Sequence, residues 1–318
     1  MTSSSLRKLG SSDLEVFPLS LGGNVFGWTA DEAASFAVLD AYTAGGGNFI
    51  DTADSYSAWI EGNQGGESET IIGKWVKARG NRDDVVIATK VARHPDFRGL
   101  RAANIKAAAD ASLQRLGTDY IDLYYTHFDD DETIPVDEII GTLDELVKAG
   151  KVRNIAASNI SPERLQESLD FSDREGLARY VALQPHYNLV SRDTFEGARQ
   201  DVASRAGLGV VPYFALASGF LTGKYRPGVA VDGQRAANGA GKHLETERGR
   251  KVLAALDEVA EAHGAEVATV ALAWLAAQPT VTAPIASART VEQLPALLAV
   301  AELELTDAEI ARLTAASA

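Results

Sequence analysis

The chain has 318 residues, 46% hydrophobic and 23% charged, which supplies a sizeable core at the usual length of one α/β barrel. A formal net charge of -14 opposes phosphate contacts and a polybasic anchor, so neither nucleic acid nor membrane is an expected partner. The lack of cysteine excludes a disulfide framework and a thiolate zinc site; with no apolar signal core in MTSSSLRKLGSSDLEV and no apolar run near the roughly 18 residues of a membrane span, the cytoplasm is the expected compartment.

In chain order, LRKLGSSDLEV places two short alternating segments around a Gly-Ser-Ser-Asp turn, which predicts a small hairpin ahead of the main fold. Candidate strands follow at FPLSLGG, NFIDT, DVVIATK, YIDLYYTH, VRNIAAS, YVALQ, GVVPY and VTAPIAS. Between them, stretches such as DEAASFAVLDAYTAG, RAANIKAAADASLQRLG, VDEIIGTLDELVKAG and SPERLQESLDF carry apolar residues at helical spacing, often with glycine at the exit. Alternating strand and helix predicts parallel strands with right-handed crossovers, and eight units predict closure into a single (β/α)8 TIM barrel domain spanning the whole chain. The rhythm breaks once. The stretch ASGFLTGKYRPGVAVDGQRAANGAGKHLET is rich in Gly and Ala and poor in apolar periodicity, as in a functional lid or an unstructured loop. After it, ERGRKVLAALDEVAEAHG and VATVALAWLAAQP predict two helices, with Trp274 in the core.

Several apolar runs end in polar residues of the types that carbonyl reduction needs: Asp51 and then Tyr56 after NFI, Lys90 after VVIAT, and His127 after IDLYYT. In a parallel barrel such positions converge on one mouth. Tyrosine is the hydroxyl acid of the set, with a free pKa of about 10 that a nearby ammonium lowers towards working pH. Taken singly, Tyr56 also reads as loop packing and Asp51 as a turn cap, whereas Lys90 after so apolar a run needs a counter-charge. Trp28, Trp59 and Phe128 fall in mouth loops, either as an apolar cup for an aromatic or alicyclic carbonyl compound or as loop packing. His94 and His186 are further candidates for the pocket lining, while His243 and His263 read as surface residues. GGNVFG does not satisfy G-x-G-x-x-G, GAGKH is not a P-loop, and DDDET lacks a calcium-loop spacing, so no metal site is expected.

The segments NFIDTADSYS, VVIATKV, IDLYYTHFDD, AASN, LQPHYN and VVPYFALASGFLTGKYR resemble, in this order, those of the aldo-keto reductase superfamily, over a span from about Leu6 to about Leu313. The resemblance implies an oxidoreductase that uses NADP(H) to reduce small-molecule aldehydes or ketones to alcohols, or the reverse. It implies Tyr56 as proton donor, Lys90 as the cation that lowers its pKa, Asp51 as the partner of Lys90, and His127 as the donor that orients the substrate oxygen. It implies that the hairpin covers the barrel bottom and that Gly22, Gly23 and Asn24 admit the dinucleotide near Asp51. Ser158, Asn159 and Gln184 would then bond the nicotinamide carboxamide and Tyr213 would stack on the ring. Backbone of LASGFLTG, including Leu216, Ser218, Gly219 and Leu221, would embrace the pyrophosphate with Lys224 and Arg226, and Ser287, Arg289 and Gln293 would meet the 2′-phosphate. Two departures stand out: Ala296 and Leu297 replace a Glu-Asn pair common in relatives, and Phe214, next to the cofactor, replaces a common serine. The stretch from Ala217 to Thr246 is expected to order over the dinucleotide through LASGFLTG while GQRAANGAGKH stays mobile. Two rival readings are a non-catalytic nicotinamide-nucleotide-binding subunit of the same fold and an unrelated barrel with Lys90 as a Schiff-base amine. The oligomeric state is not legible.

Overall fold

A computed structural model describes residues 6–229, 231 and 239–318. The chain opens with the expected hairpin, β1 (Arg7–Lys8) against β2 (Glu15–Val16). The barrel strands are β3 (Ser20–Gly22), β4 (Phe49–Asp51) and β5 (Val86–Val91), then β8 (Ile121–Thr126), β9 (Val152–Ser158), β10 (Tyr180–Gln184), β11 (Gly209–Val210) and β12 (Ile285–Ala286). A second small hairpin, β6 (Arg93–His94) with β7 (Phe97–Arg98), projects beyond β5. The eight barrel strands pair in parallel in the order β11-β10-β9-β8-β5-β4-β3-β12. The two edges then meet: Thr282 N–H donates to the Val210 carbonyl at 2.8 Å and Ile285 N–H to the Pro212 carbonyl at 2.9 Å, so the sheet closes into a (β/α)8 barrel.

Along the eight barrel strands nearly every residue on both faces is buried, with Arg153 of β9 the exposed exception, which is why these strands read as nearly continuous apolar runs. In β8, Leu123 and Tyr125 point into the barrel while Tyr124 points out towards the helices, the two-residue period of a strand. Leu9, Leu14 and Val16 of the hairpin join the interior cluster with Phe49, Leu123 and Val211. The hairpin turn presses so closely on the barrel that a Cβ on Gly10, whose φ is +55°, would lie 2.1 Å from the Val181 carbonyl oxygen. It therefore plugs the end of the barrel where the strands begin, and leaves the other end open.

The helices lie outside the strands and start where local chemistry allows. Asp31 caps Glu32–Ala44 through the Ala34 N–H, and Ser161 followed by Pro162 starts Pro162–Glu175. Helices Glu67–Arg79, Ala198–Arg205 and Asp307–Ala316 add to those the sequence pattern singled out. Trp274 is fully buried, as expected of core. In the long connection, Ala217–Thr222 and Ala240–Glu245 form 3-10 turns, with Phe220 and Leu221 buried. His243, expected at the surface, packs its ring 5.0 Å from that of Phe220. Most of the segment expected to be mobile, residues 233–238 of GQRAANGAGKH, lies outside the described residues. No helix among the described residues is long and apolar enough to cross a membrane.

Candidate active site

The open end of the barrel gathers the four residues expected there. Asp51 ends β4, Lys90 lies near the end of β5, His127 follows β8, and Tyr56 sits in the loop between β4 and the helix Glu67–Arg79. Lys90 is fully buried, and its Nζ donates to Asp51 Oδ2 at 2.7 Å, the Thr52 carbonyl at 2.8 Å and the Tyr56 hydroxyl at 2.9 Å. All three ammonium protons are thereby placed. The Tyr56 hydroxyl also lies 3.3 Å from Asp51 Oδ2, and its ring meets that of His127 edge-on at 6.2 Å.

The electrostatics differ from expectation at Tyr56. Burial first, then the charge and hydrogen bond of Asp51, hold its hydroxyl well above the ordinary phenol value, although Lys90 is in contact. The ammonium cannot offset the lost solvation because its own charge is already balanced by Asp51. Burial likewise lowers the Lys90 pKa, against the pull of Asp51, Asp54 and Glu69. His127 is held well below the usual imidazole value by burial and then by Lys90 and Arg93, and is therefore neutral near pH 7. Its Nδ1 is buried with no partner among the described residues. A protonated phenol and a neutral imidazole thus line one pocket, an arrangement suited to giving hydrogen bonds and a proton to an oxygen.

That pocket, about 350 Å3, is lined by Asp51, Tyr56 and His127, with Lys90 buried outside the lining, and continues along the ends of β9 to β12. One hydrogen-bonded chain joins its two halves. Tyr213 donates to Asn159 Oδ1 at 2.7 Å, and Asn159 Nδ2 donates to Ser158 Oγ and to the His127 carbonyl, each at 2.9 Å. Ser158 Oγ donates to the Gln184 carbonyl at 2.9 Å, and Gln184 Nε2 to Asp51 Oδ1 at 2.8 Å. The side-chain nitrogens of Asn159 and Gln184 are therefore committed within the protein. Asn159 reaches this position with a φ of +45°. The Tyr213 ring stacks on His186 at 5.5 Å and 23°, so His186 stands behind the lining instead of in it.

Of the other expected cofactor residues, Asn24, Phe214, Leu216, Ser218, Gly219 and Ser287 line the pocket. Gly22, also expected there, lines it too, and a Cβ on it would lie 2.5 Å from Ser287 Oγ, whereas Gly23 does not line the pocket. Ser287 Oγ donates to Asn24 Oδ1 at 2.6 Å, closing the seam between β3 and β12. Leu221 turns into the core, and Lys224 is exposed outside the lining with its Nζ 3.4 Å from where a Gly219 Cβ would stand. Arg226 is engaged by Asp257 at 2.6 Å. Arg289 is exposed beyond the pocket rim, and its backbone N–H donates to Gln293 Oε1 at 2.8 Å, so that Gln293 shapes the loop carrying Arg289.

The aromatic cup is partly assembled. Trp59, half exposed, and Phe128 line the mouth, whereas Trp28 stands behind Trp59 with its ring edge-on at 5.6 Å. Arg93 lies over Phe128, 3.7 Å from the ring centroid, and pairs with Asp130. His94 is buried beside Phe97 away from the pocket, and His263 bonds Glu309 at 2.8 Å. The Thr52 carbonyl and Ala215, Ile285 and Ala286 complete the site. None of these carries a side-chain signal that sequence reading detects.

The aldo/keto reductase family profile matches residues 18–318. Protein tas of Escherichia coli (strain K12) is 33% identical over 97% of this chain and 96% of its own length. The oxidoreductase YrpG of Bacillus subtilis (strain 168) is 37% identical over 96% of this chain and 93% of its own. The norsolorinic acid reductase stcV of Emericella nidulans is 34% identical over 93% of this chain and 77% of its own. With the closed barrel and its open-end pocket, these matches make the chain a member of the aldo/keto reductase family of oxidoreductases.

Proposed function

We propose that the protein reduces the carbonyl group of aldehydes or ketones with NADPH, Tyr56 delivering the proton. The observation that carries this reading is the convergence of Lys90 on Asp51, Thr52 and the Tyr56 hydroxyl beside neutral His127 in an apolar-lined pocket. The later strand ends fit a nicotinamide dinucleotide. The Tyr213 ring is backed by His186 and anchored through Asn159, which suits it to stacking on a planar ring in the pocket. With both side-chain nitrogens committed, Gln184 Oε1 and the second lone pair of Asn159 Oδ1 serve as acceptors for a carboxamide NH2. Ser218 and Gly219, both at positive φ, bend the backbone along the pocket wall, although the Ala217 and Gly219 N–H groups are already given to the Phe214 and Leu216 carbonyls at 2.7 and 2.8 Å.

A dinucleotide bound there supplies the hydride for the carbonyl carbon. Tyr56 then gives its proton to the carbonyl oxygen, and Lys90 stabilises the phenolate that remains. Asp51 holds the ammonium in place, and His127 donates to the same oxygen and fixes its direction. Steady oxidation of NADPH by a panel of simple aldehydes and ketones tests the assignment. Tight dinucleotide binding with no turnover on any of them would instead mark a binding subunit.

Arg289 is the residue proposed to meet the 2′-phosphate, because its exposed guanidinium makes no ion pair among the described residues and its loop is fixed by Gln293. Arg289→Ala is expected to weaken NADPH binding by about 1.5–3 kcal/mol and to leave NADH binding nearly unchanged, as titration of each cofactor will show. Equal losses for both would remove Arg289 from this role. Trp59 offers a half-exposed indole at the mouth and is proposed to stack on an aromatic substrate. Trp59→Ala should raise KM for aromatic aldehydes about five- to tenfold, the scale of an aromatic pair, with little change for small aliphatic ones. A uniform change across both classes would reduce Trp59 to packing.

A further inference from the structure

Between the barrel wall and the helices Glu67–Arg79 and Ala102–Leu116 lies a buried polar cluster that the proposed reaction does not use. Asp54, two residues before Tyr56, is wholly buried, and its backbone N–H donates to the Lys90 carbonyl at 3.2 Å. Neither carboxyl oxygen has a hydrogen-bond partner among the described residues, and the buried Tyr124 hydroxyl has none either. Glu69, also wholly buried, is satisfied by Thr89 Oγ1 and by Arg115 Nε at 2.6 Å. The arrangement sets three buried carboxyl groups, Asp51, Asp54 and Glu69, against two cations. Lys90 has spent its protons on Asp51, Thr52 and Tyr56, and Arg115 is paired with Glu69. An ionised Asp54 would be a buried anion with no counter-ion of its own and no donor but the weakly opposing Ser55 amide, a state that proteins avoid by keeping the group protonated.

We propose that Asp54 is a neutral carboxylic acid in the resting protein and a positioning residue for Lys90 and Tyr56, whose loss of its proton places a new anion behind Lys90 that opposes the phenolate form of Tyr56. The claim rests on Tyr56 as proton donor for its catalytic consequence, but not for the protonation of Asp54 itself. Burial first, and then the negative charge of Glu69, hold the Asp54 carboxyl well above the ordinary carboxylate range, with Arg115, Lys90 and the Ser55 amide opposing. The same coupling acts on the neighbours: Asp54 is among the groups that raise Tyr56, and it is the first charge raising Tyr124 after burial. His94, the remaining titratable group beside the cluster, feels Arg115 and Glu69 and is itself lowered by burial. Reduction leaves Tyr56 as phenolate and alcohol oxidation starts from it, so an ionised Asp54 slows both.

Asp54→Asn fixes the position in its neutral form at nearly constant shape. The infrared difference between the unsubstituted protein and this variant at neutral pH should contain the C=O stretch of a protonated carboxylic acid, which alkali then abolishes. The ratio of alcohol-oxidation rates, variant over unsubstituted, should stand near one in acid and rise to about tenfold in alkali, the effect of one like charge on a neighbouring acid. Stability supplies a third readout with a definite sign. Because the folded-state pKa of Asp54 lies above its unfolded value, its contribution is full below the unfolded value and is lost as pH rises through the folded one; Asp54→Asn loses that slope. Absence of the carboxylic acid band overturns the proposal whatever Tyr56 does, and a rate ratio independent of pH overturns the coupling. Should Asp54→Asn fail to fold, Asp54→Ser, smaller and likewise uncharged, takes its place as the reference; a difference without the band is equally fatal. A fully active Tyr56→Phe enzyme with the band intact would instead sink the proton-donor reading and leave Asp54 neutral.

Discussion

Tyr56→Phe is expected to lose on the order of 10²-fold or more of turnover while binding the dinucleotide almost as before. The substitution keeps the ring, so the edge contacts with Trp59 and His127, each at 6.2 Å, survive. Only the hydroxyl goes, and with it the 2.9 Å contact from Lys90 and the 3.3 Å approach to Asp51. Lys90 retains Asp51 and Thr52, so no buried charge is stranded and the fold should hold. Single-turnover reduction measures the chemical step, and a separate titration of cofactor binding guards against a disturbed pocket. Turnover at the unsubstituted rate would show that another group, with His127 the nearest candidate, delivers the proton.

What the sequence disclosed and what it hid divide along a physical line. Asp51, Lys90 and His127 were legible because each polar side chain follows an apolar run whose direction in a barrel is fixed, and such a side chain has one place to point. Nearly continuous apolar runs gave most strands their position, yet GVVPY and VTAPIAS shrink to Gly209–Val210 and Ile285–Ala286 because Pro212 and Pro284 have no N–H to donate to a ladder. Helix Glu67–Arg79 escaped because its buried Ile71, Ile72, Trp75 and Val76 are interleaved with seven charged or hydroxyl residues that mask the stripe. Backbone partners are silent in a side-chain reading, as with the Thr52 carbonyl. Environment was silent too. DTADSY offers two aspartates three residues apart, and only the fold gives Asp51 an ammonium and an amide while leaving Asp54 without a donor.

Lys90→Met should damage stability and chemistry together, and the two effects can be separated. The loss of the ammonium leaves Asp51, 2% exposed, as a buried carboxylate with Gln184 and Tyr56 for partners. Breaking a buried pair from one side typically costs about 3–5 kcal/mol, because the remaining charge is uncompensated. The deficit should be greatest near neutral pH and shrink in acid, since protonating Asp51 removes the unpaired charge; a deficit indifferent to pH would mean that lost packing, not charge, is its cause. Asp51→Asn together with Lys90→Met removes both charges and should recover much of the stability, so the two substitutions combine far less than additively in a thermal or denaturant melt. Turnover should not recover with it. The phenolate of Tyr56 would still lack its cation, and removal of one such preorganised donor costs about 10²–10³-fold. A stable double variant with restored turnover would show that Lys90 serves only to pair Asp51, and that the proton leaves Tyr56 without its help.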